Sequence, residues 1–221
     1  MNSRFQAIFT VDRAPKEVLL GDSSKEALLG GSTPPSCTRT PCDLDAGQQL
    51  YAAGSTGQAW RVTDGVIRLD HAVQGGEHHF ASLAIAGDIV GCETLLFGSY
   101  TFDATALTPC RLQPWPEGDT ATSGDGLLES LAQAQKRAAD LLALRGGQAS
   151  ARVLGLIRLL ADRSGQVILP TRQDIADITD LRFETISRII SNLQREHLLS
   201  PLRIAGIHAT RSYRLAPGAF A

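Results

Sequence analysis

Residues 171–193 constrain the fold more than any other stretch, because two helical apolar patterns lie there on either side of one short turn. After Pro170, Thr171 can cap a helix whose Ile175 and Ile178 fall three apart, and Asp180 can end it, since Asp tolerates the left-handed conformation a turn requires. The run Leu181-Arg-Phe-Glu184-Thr185-Ile186-Ser187-Arg188-Ile-Ile190 then starts a second helix. Its Ile186, Ile189, Ile190 and Leu193 recur at helical spacing and pack inward, which leaves Glu184, Ser187, Arg188 and Ser191 on the other side. A short helix, a tight turn and a second helix predict a helix-turn-helix. Its outward residues suit base reading: a carboxylate accepts from cytosine N4, and an Arg forks onto guanine O6 and N7. Glu184 and Arg188 are also i, i+4 neighbours, so a surface ion pair worth about 0.2–0.5 kcal/mol is the alternative.

Charge separates the same region from the rest. Residues 150–221 hold ten Lys and Arg against six Asp and Glu, a net of +4, whereas residues 1–149 hold eleven against seventeen, a net of −6. All ten basic residues are Arg. Arg172, Arg182, Arg188, Arg195, Arg203 and Arg211, with Thr171 and Ser191 as hydroxyl partners, can meet a phosphate backbone, which would make binding salt-dependent. A solvated face is the alternative for any single member. Downstream, Ile204-Ala-Gly206-Ile207 and Arg211-Ser-Tyr213-Arg-Leu215 predict two short strands around a Gly turn, hence a wing after the helices.

Upstream the pattern changes. Residues 1–36 mix a helical stretch over Lys16–Leu29 with a Gly-Gly-Ser-Thr-Pro-Pro linker and show no chemistry. From Cys37 to Trp115, apolar runs alternate with Gly: Gln49–Ala52, Ala59–Val62, Val66–Ala72, His78–Ile85, Ile89–Val90 and Ala104–Leu112. That spacing predicts a barrel or jelly roll, with a hairpin at Gly75-Gly76. Over Asp125–Arg145, Leu127, Leu131, Ala134, Ala138 and Leu141 repeat at spacings of four and three, a heptad seam suited to a parallel dimer; packing on the chain's own β domain is the alternative. Paired reading helices need to lie roughly 34 Å apart. Gly146-Gly147 supplies a joint at the seam's end.

These residues carry a resemblance. Glu184-Thr185-Ile186-Ser187-Arg188, preceded by Asp174-Ile175-Ala176 and Leu181, resembles the signature of the Crp/Fnr family of bacterial transcription regulators. So, in order, do Asp45-Ala-Gly47-Gln-Gln-Leu50-Tyr51-Ala-Ala-Gly54, Val62-Thr-Asp-Gly65-Val66-Ile67-Arg68 and Ala86-Gly87-Asp88-Ile89-Val90-Gly91 resemble its effector-binding roll. The resemblance implies an α+β chain: a cyclic-nucleotide-binding-like β-roll at 37–122 after the segment 1–36, a long dimerisation helix at 123–146, and a C-terminal winged helix-turn-helix at 147–221. It implies that Glu184, Ser187 and Arg188 read a palindromic TTGA-like site on double-stranded DNA, and that RNA polymerase is a partner if the chain activates. Phe183 stands where regulators like the cyclic-AMP receptor protein carry Arg, which places the helix nearer the Fnr branch. Asp180 replaces the family's turn Gly, and Thr179 a buried Leu.

The signal is open at this point. The stretch Gly98-Ser99-Tyr100-Thr101-Phe102-Asp103 has no Arg for a cyclic nucleotide's phosphate, and Asp103 would repel one, which argues against cyclic AMP. Cys37, Cys42, Cys92 and Cys110 are candidate iron–sulfur ligands, with Cys110 alone matching a ligand position of the oxygen-sensing branch; thiol switching and plain structural roles are the alternatives. Haem is a further option through His71, His78, His79 and Cys92, although Thr94 stands where the carbon-monoxide sensors have His. The N-terminus lacks a signal-peptide core and no apolar run reaches the ~20 residues of a membrane span, so the expected setting is the cytoplasm, away from membranes. Two other classes remain: a cupin-type metal enzyme, against which adjacent His78 and His79 would face opposite sides of a strand, and a helix-turn-helix that binds protein instead of DNA.

Overall fold

The computed structural model describes residues 40–73, 76–116, 124–203 and 211–216, all in the compact unit Cys37–Ala221. Residues 1–36, Cys37, Gly75 and Ile204–Ile207, where a wing strand is expected, lie outside the described residues.

Eight short strands come first: β1 (Cys42–Leu44), β2 (Gln49–Tyr51), β3 (Ala59–Asp64), β4 (Val66–Ala72), β5 (His78–Ile85), β6 (Ile89–Val90), β7 (Asp103–Ala106) and β8 (Cys110–Trp115), with a one-turn helix α1 (Thr94–Phe97) between β6 and β7. They form two antiparallel sheets, ordered β1-β8-β3-β6 and β2-β7-β4-β5. Tyr51, Ile67, Ala84, Ala104 and Ala106 of one sheet meet Trp60, Val62, Val90, Cys110 and Leu112 of the other in one apolar core. Alternation of inward and outward residues along each strand produces this two-layer roll.

The single run expected over Ala104–Leu112 is two strands in different sheets. Pro109 cannot donate to a ladder, and the buried Thr108 turns its hydroxyl to accept from Val66 N at 2.9 Å, so the chain crosses between sheets there. Gly65 packs against this crossover at φ +87°; a Cβ on it would stand 2.3 Å from the Pro109 carbonyl oxygen. Only Gly fits such an approach.

The remainder is helical with a small sheet: α2 (Gly124–Ala143), α3 (Ala149–Leu160), β9 (Gln166–Ile168), α4 (Arg172–Thr179), α5 (Phe183–Arg195), β10 (Leu199–Pro201) and β11 (Ser212–Leu215), the strands ordered β10-β11-β9. Helix α3 and strand β9 were not expected, although Val153, Leu156 and Ile157 of α3 are buried at helical spacing. These elements share a second core that also takes in Leu141 of α2 and Val66, Leu83 and Leu107 of the roll. No helix of the described residues is long and apolar enough to cross a membrane.

Helix α2 is fixed to the roll by polar contacts. Arg137 ion-pairs with Asp88 in the β5–β6 turn, both side chains almost fully buried, and Ile89 N donates to Ser130 Oγ at 2.9 Å. Leu141 lies on this inward side and is 5% exposed, which corrects its assignment to the partner-facing seam. Leu127 is half-buried, whereas Leu131, Ala134 and Ala138 are exposed. The exposed apolar stripe also includes Leu128 and Leu142, at 66% and 72% exposure. With 3.6 residues per turn, a helix carrying apolar residues on two adjoining faces does not reveal which of them meets its own chain.

Candidate nucleic-acid interface

Helix α4 starts at a capping box. The Thr171 side chain accepts from Asp174 N at 3.1 Å, and the Asp174 carboxylate accepts from Thr171 N at 3.1 Å. Two orphan donors of the first turn are thereby satisfied. Thr171→Ala is expected to lower stability by about 0.5–2 kcal/mol, and Thr171→Ser to restore most of it, in urea unfolding of both variants. At the other end Asp180 adopts φ 53°, ψ 49°, and its N–H donates to the Ala176 carbonyl. The left-handed turn is therefore made by Asp in place of Gly. Thr179 is fully buried, yet its hydroxyl donates to Ile175 O at 2.6 Å, so the polar replacement of an apolar residue leaves nothing unpaired.

Helix α5 buries Ile186, Ile190 and Leu193 and half-buries Ile189. On the opposite side Glu184, Arg188 and Ser191 are exposed and Ser187 is half-buried. No ion pair joins Glu184 to Arg188 among the described residues, so the polar heads are not occupied by each other. Phe183 opens the helix and is 49% exposed.

The residues expected at the DNA backbone divide. Arg182 and Arg203 are exposed and Arg172 is half-buried at the start of α4. Arg195 folds back onto the Asn192 side-chain oxygen, and Ser191 Oγ donates to Ser187 O at 2.9 Å. Arg211 Nε donates to Leu169 O at 3.1 Å, which ties it to the segment just ahead of α4. Ser191 must rotate before it can donate to a phosphate.

In the roll, Tyr51 and Tyr100 stack at 3.7 Å between centroids with planes 5° apart, and Tyr100 Oη donates to Gln58 O at 2.7 Å. Asp103 is buried in the wall, accepting from Ala53 N and facing His78 Nδ1, both at 2.9 Å. His71 meets the Phe102 ring edge-on, and His79 lies 3.7 Å from Glu77. Among the described residues no three His, Cys, Asp or Glu side chains are grouped to hold a metal ion. The three described candidate cluster ligands are not brought together: Cys42 and Cys110 share the β1–β8 pair and Cys92 lies between β6 and α1, while Cys37 is outside the described residues.

Cys110 is buried and donates to Val66 O at 3.3 Å and Thr108 O at 3.1 Å; burial pushes its thiol up to about 11. Burial, then Glu93, raises the Cys92 thiol as well. A thiol held above the ordinary range has little thiolate at neutral pH. Cys110 is expected to escape iodoacetamide in native protein and to react after denaturation, as read by mass spectrometry. Rapid native labelling would contradict this assignment.

The Crp-like helix-turn-helix domain model matches residues 151–215, which contain most of α3 and all of α4, α5 and β11. The transcriptional regulator SdrP of Thermus thermophilus is 30% identical over 169 residues, covering 72% of this chain and 84% of that one. The chain belongs to the Crp/Fnr family. A second relative, the nitrogen fixation regulation protein FixK of Rhizobium meliloti strain 1021, is 27% identical over 176 residues, covering 77% of this chain and 82% of its own. The fold is that of a CRP-family transcriptional regulator from Thermus thermophilus, at TM-score 0.62 and 23% identity over 80% of this chain and 93% of that one. As a Crp/Fnr member the chain is a transcription regulator with a DNA-binding helix-turn-helix, and the metal-enzyme reading is withdrawn.

Proposed function

We propose that the chain acts in the cytoplasm as a homodimer on an inverted repeat of TTGA-like half-sites. Glu184, Ser187 and Arg188 read base edges, and Phe183 in the same turn offers its ring to a thymine methyl. Thr171, Arg172, Arg182, Ser191 and Arg195 hold the DNA backbone. The observation that carries this reading is the division of α5 into a buried isoleucine face and an opposite face whose Glu184 and Arg188 are exposed and not paired with each other. The roll, taken as 37–122, receives the signal; the helix at 123–146 pairs the two copies through Leu131, Ala134 and Ala138 together with Leu128 and Leu142; and 147–221 reads DNA. RNA polymerase is the further partner if the chain activates.

Selection from a random duplex pool tests the reading. Two inverted half-sites with centres about one helical turn apart are expected, and enrichment of a single half-site, or of none, would refute the dimeric account. For the signal, absorption spectra with iron and acid-labile sulfide assays on protein purified without oxygen separate the options. A Soret band identifies haem; iron with sulfide identifies a cluster; a colourless, metal-free protein redirects the search to thiol oxidation or a small organic ligand.

A further inference from the structure

The roll and helix α4 meet at Arg68. This side chain, 13% exposed on β4, places Nε 2.8 Å and 2.9 Å from the two oxygens of Asp70 on its own strand. The Phe80 ring lies 5.7 Å from its guanidinium carbon, and the Arg145 guanidinium lies 5.8 Å from the same ring. Asp70 and Phe80 thus fix the guanidinium before it touches the reader. Its Nη1 then donates to Asp174 at 3.2 Å and to Asp177 at 3.1 Å, one turn apart on α4. Asp174 is also the carboxylate that closes the capping box.

Apolar contact alone does not fix the register of this junction. Val66, Leu83 and Leu107 of the roll join the reader's core, but the hydrophobic effect is non-directional. A cavity of about 290 Å³ opens beside the contact, bordered by Arg68, Asp70, Thr171, Asp174 and Arg211. Charge-assisted bonds from a planar guanidinium do carry direction. We infer that Arg68, although it belongs to the sensor roll, is a positioning residue for DNA reading: it latches α4 through Asp174 and Asp177 and so sets the angle at which α5 is presented. The proposal rests on the DNA-reading function above.

The charge balance supplies a sharp test. Asp177→Asn removes a negative charge from a DNA-binding domain, and bulk electrostatics alone would tighten binding to every duplex. The latch requires the opposite at the specific site. Full-length Arg68→Gln, Asp177→Asn and the double variant are compared by hydrogen exchange without DNA and by affinity for the TTGA-type and a random duplex. Each single variant is expected to speed exchange across Arg172–Thr179 and to weaken the specific complex by about 5-fold or more, with the double variant no weaker than Arg68→Gln. Unchanged exchange would overturn the latch. Faster exchange with unchanged or tighter specific binding would overturn the positioning role, as would losses that simply add. A wild-type chain that binds neither duplex would defeat the DNA-reading function instead, and the exchange experiment would still judge the latch.

Discussion

Arg188→Ala is expected to weaken binding to a TTGA-type inverted repeat by about 1–3 kcal/mol per half-site and to relax selectivity at one base pair, while affinity for random duplex falls little. The side chain is exposed on α5, one turn after Glu184 and on the side away from Ile186 and Ile190, so truncation removes the proposed base contact and leaves the core intact. Arg172→Ala is the control. That residue opens α4 and is assigned to the phosphate backbone, so its loss should reduce all sequences alike and lower the salt dependence by about one phosphate. Equal losses on specific and random duplex for Arg188→Ala would remove it from the base-reading set.

Arg137→Ala is expected to destabilise the chain by about 3–5 kcal/mol, the largest stability effect foreseen for a single change. It would strand Asp88, which is 2% exposed and holds Ile85 N with one oxygen while the other has no partner among the described residues. An uncompensated carboxylate at that depth has neither water nor a counter-charge. Adding Asp88→Asn should recover part of the loss, because the stranded charge, more than the lost packing, dominates the penalty. Urea unfolding of the two single variants and the double gives the coupling directly. A loss below about 1 kcal/mol for Arg137→Ala would mean that water reaches the pair and that α2 is anchored by other contacts.

What could be read in advance was local. Thr171, Ile175, Ile178 and Asp180 each act within one or two turns of helix, and their caps and faces are as the spacing implies. The five strands between Gln49 and Val90 follow the expected runs for the same reason, whereas β1 (Cys42–Leu44) was not among them. Ala104–Leu112 misled because Pro109 marks a break in the run but a local pattern does not say that the strands on its two sides join different sheets. Helix α3 was legible in Val153, Leu156 and Ile157 but lacks a capping side chain: its N-cap is Gln148, which makes no cap hydrogen bond. The contacts that join the parts leave no local trace. Arg68 and Asp174 are 106 residues apart, and Asp88 and Arg137 are 49 apart, so only the folded chain reveals them. The base-reading set was approached by resemblance as much as by physics, since exposure alone does not distinguish Arg188 from a solvated arginine.

This Crp/Fnr chain is proposed to bind a two-fold DNA site through α5. A fluorescence-anisotropy titration of full-length protein on a TTGA-type inverted repeat and on its scrambled counterpart, repeated over a range of salt, tests it most directly. Saturation at two chains per duplex, a linear fall of log affinity with log salt, and a preference of about 10³ or more for the inverted repeat are expected. Equal affinity for both duplexes, or saturation at one chain, would contradict it.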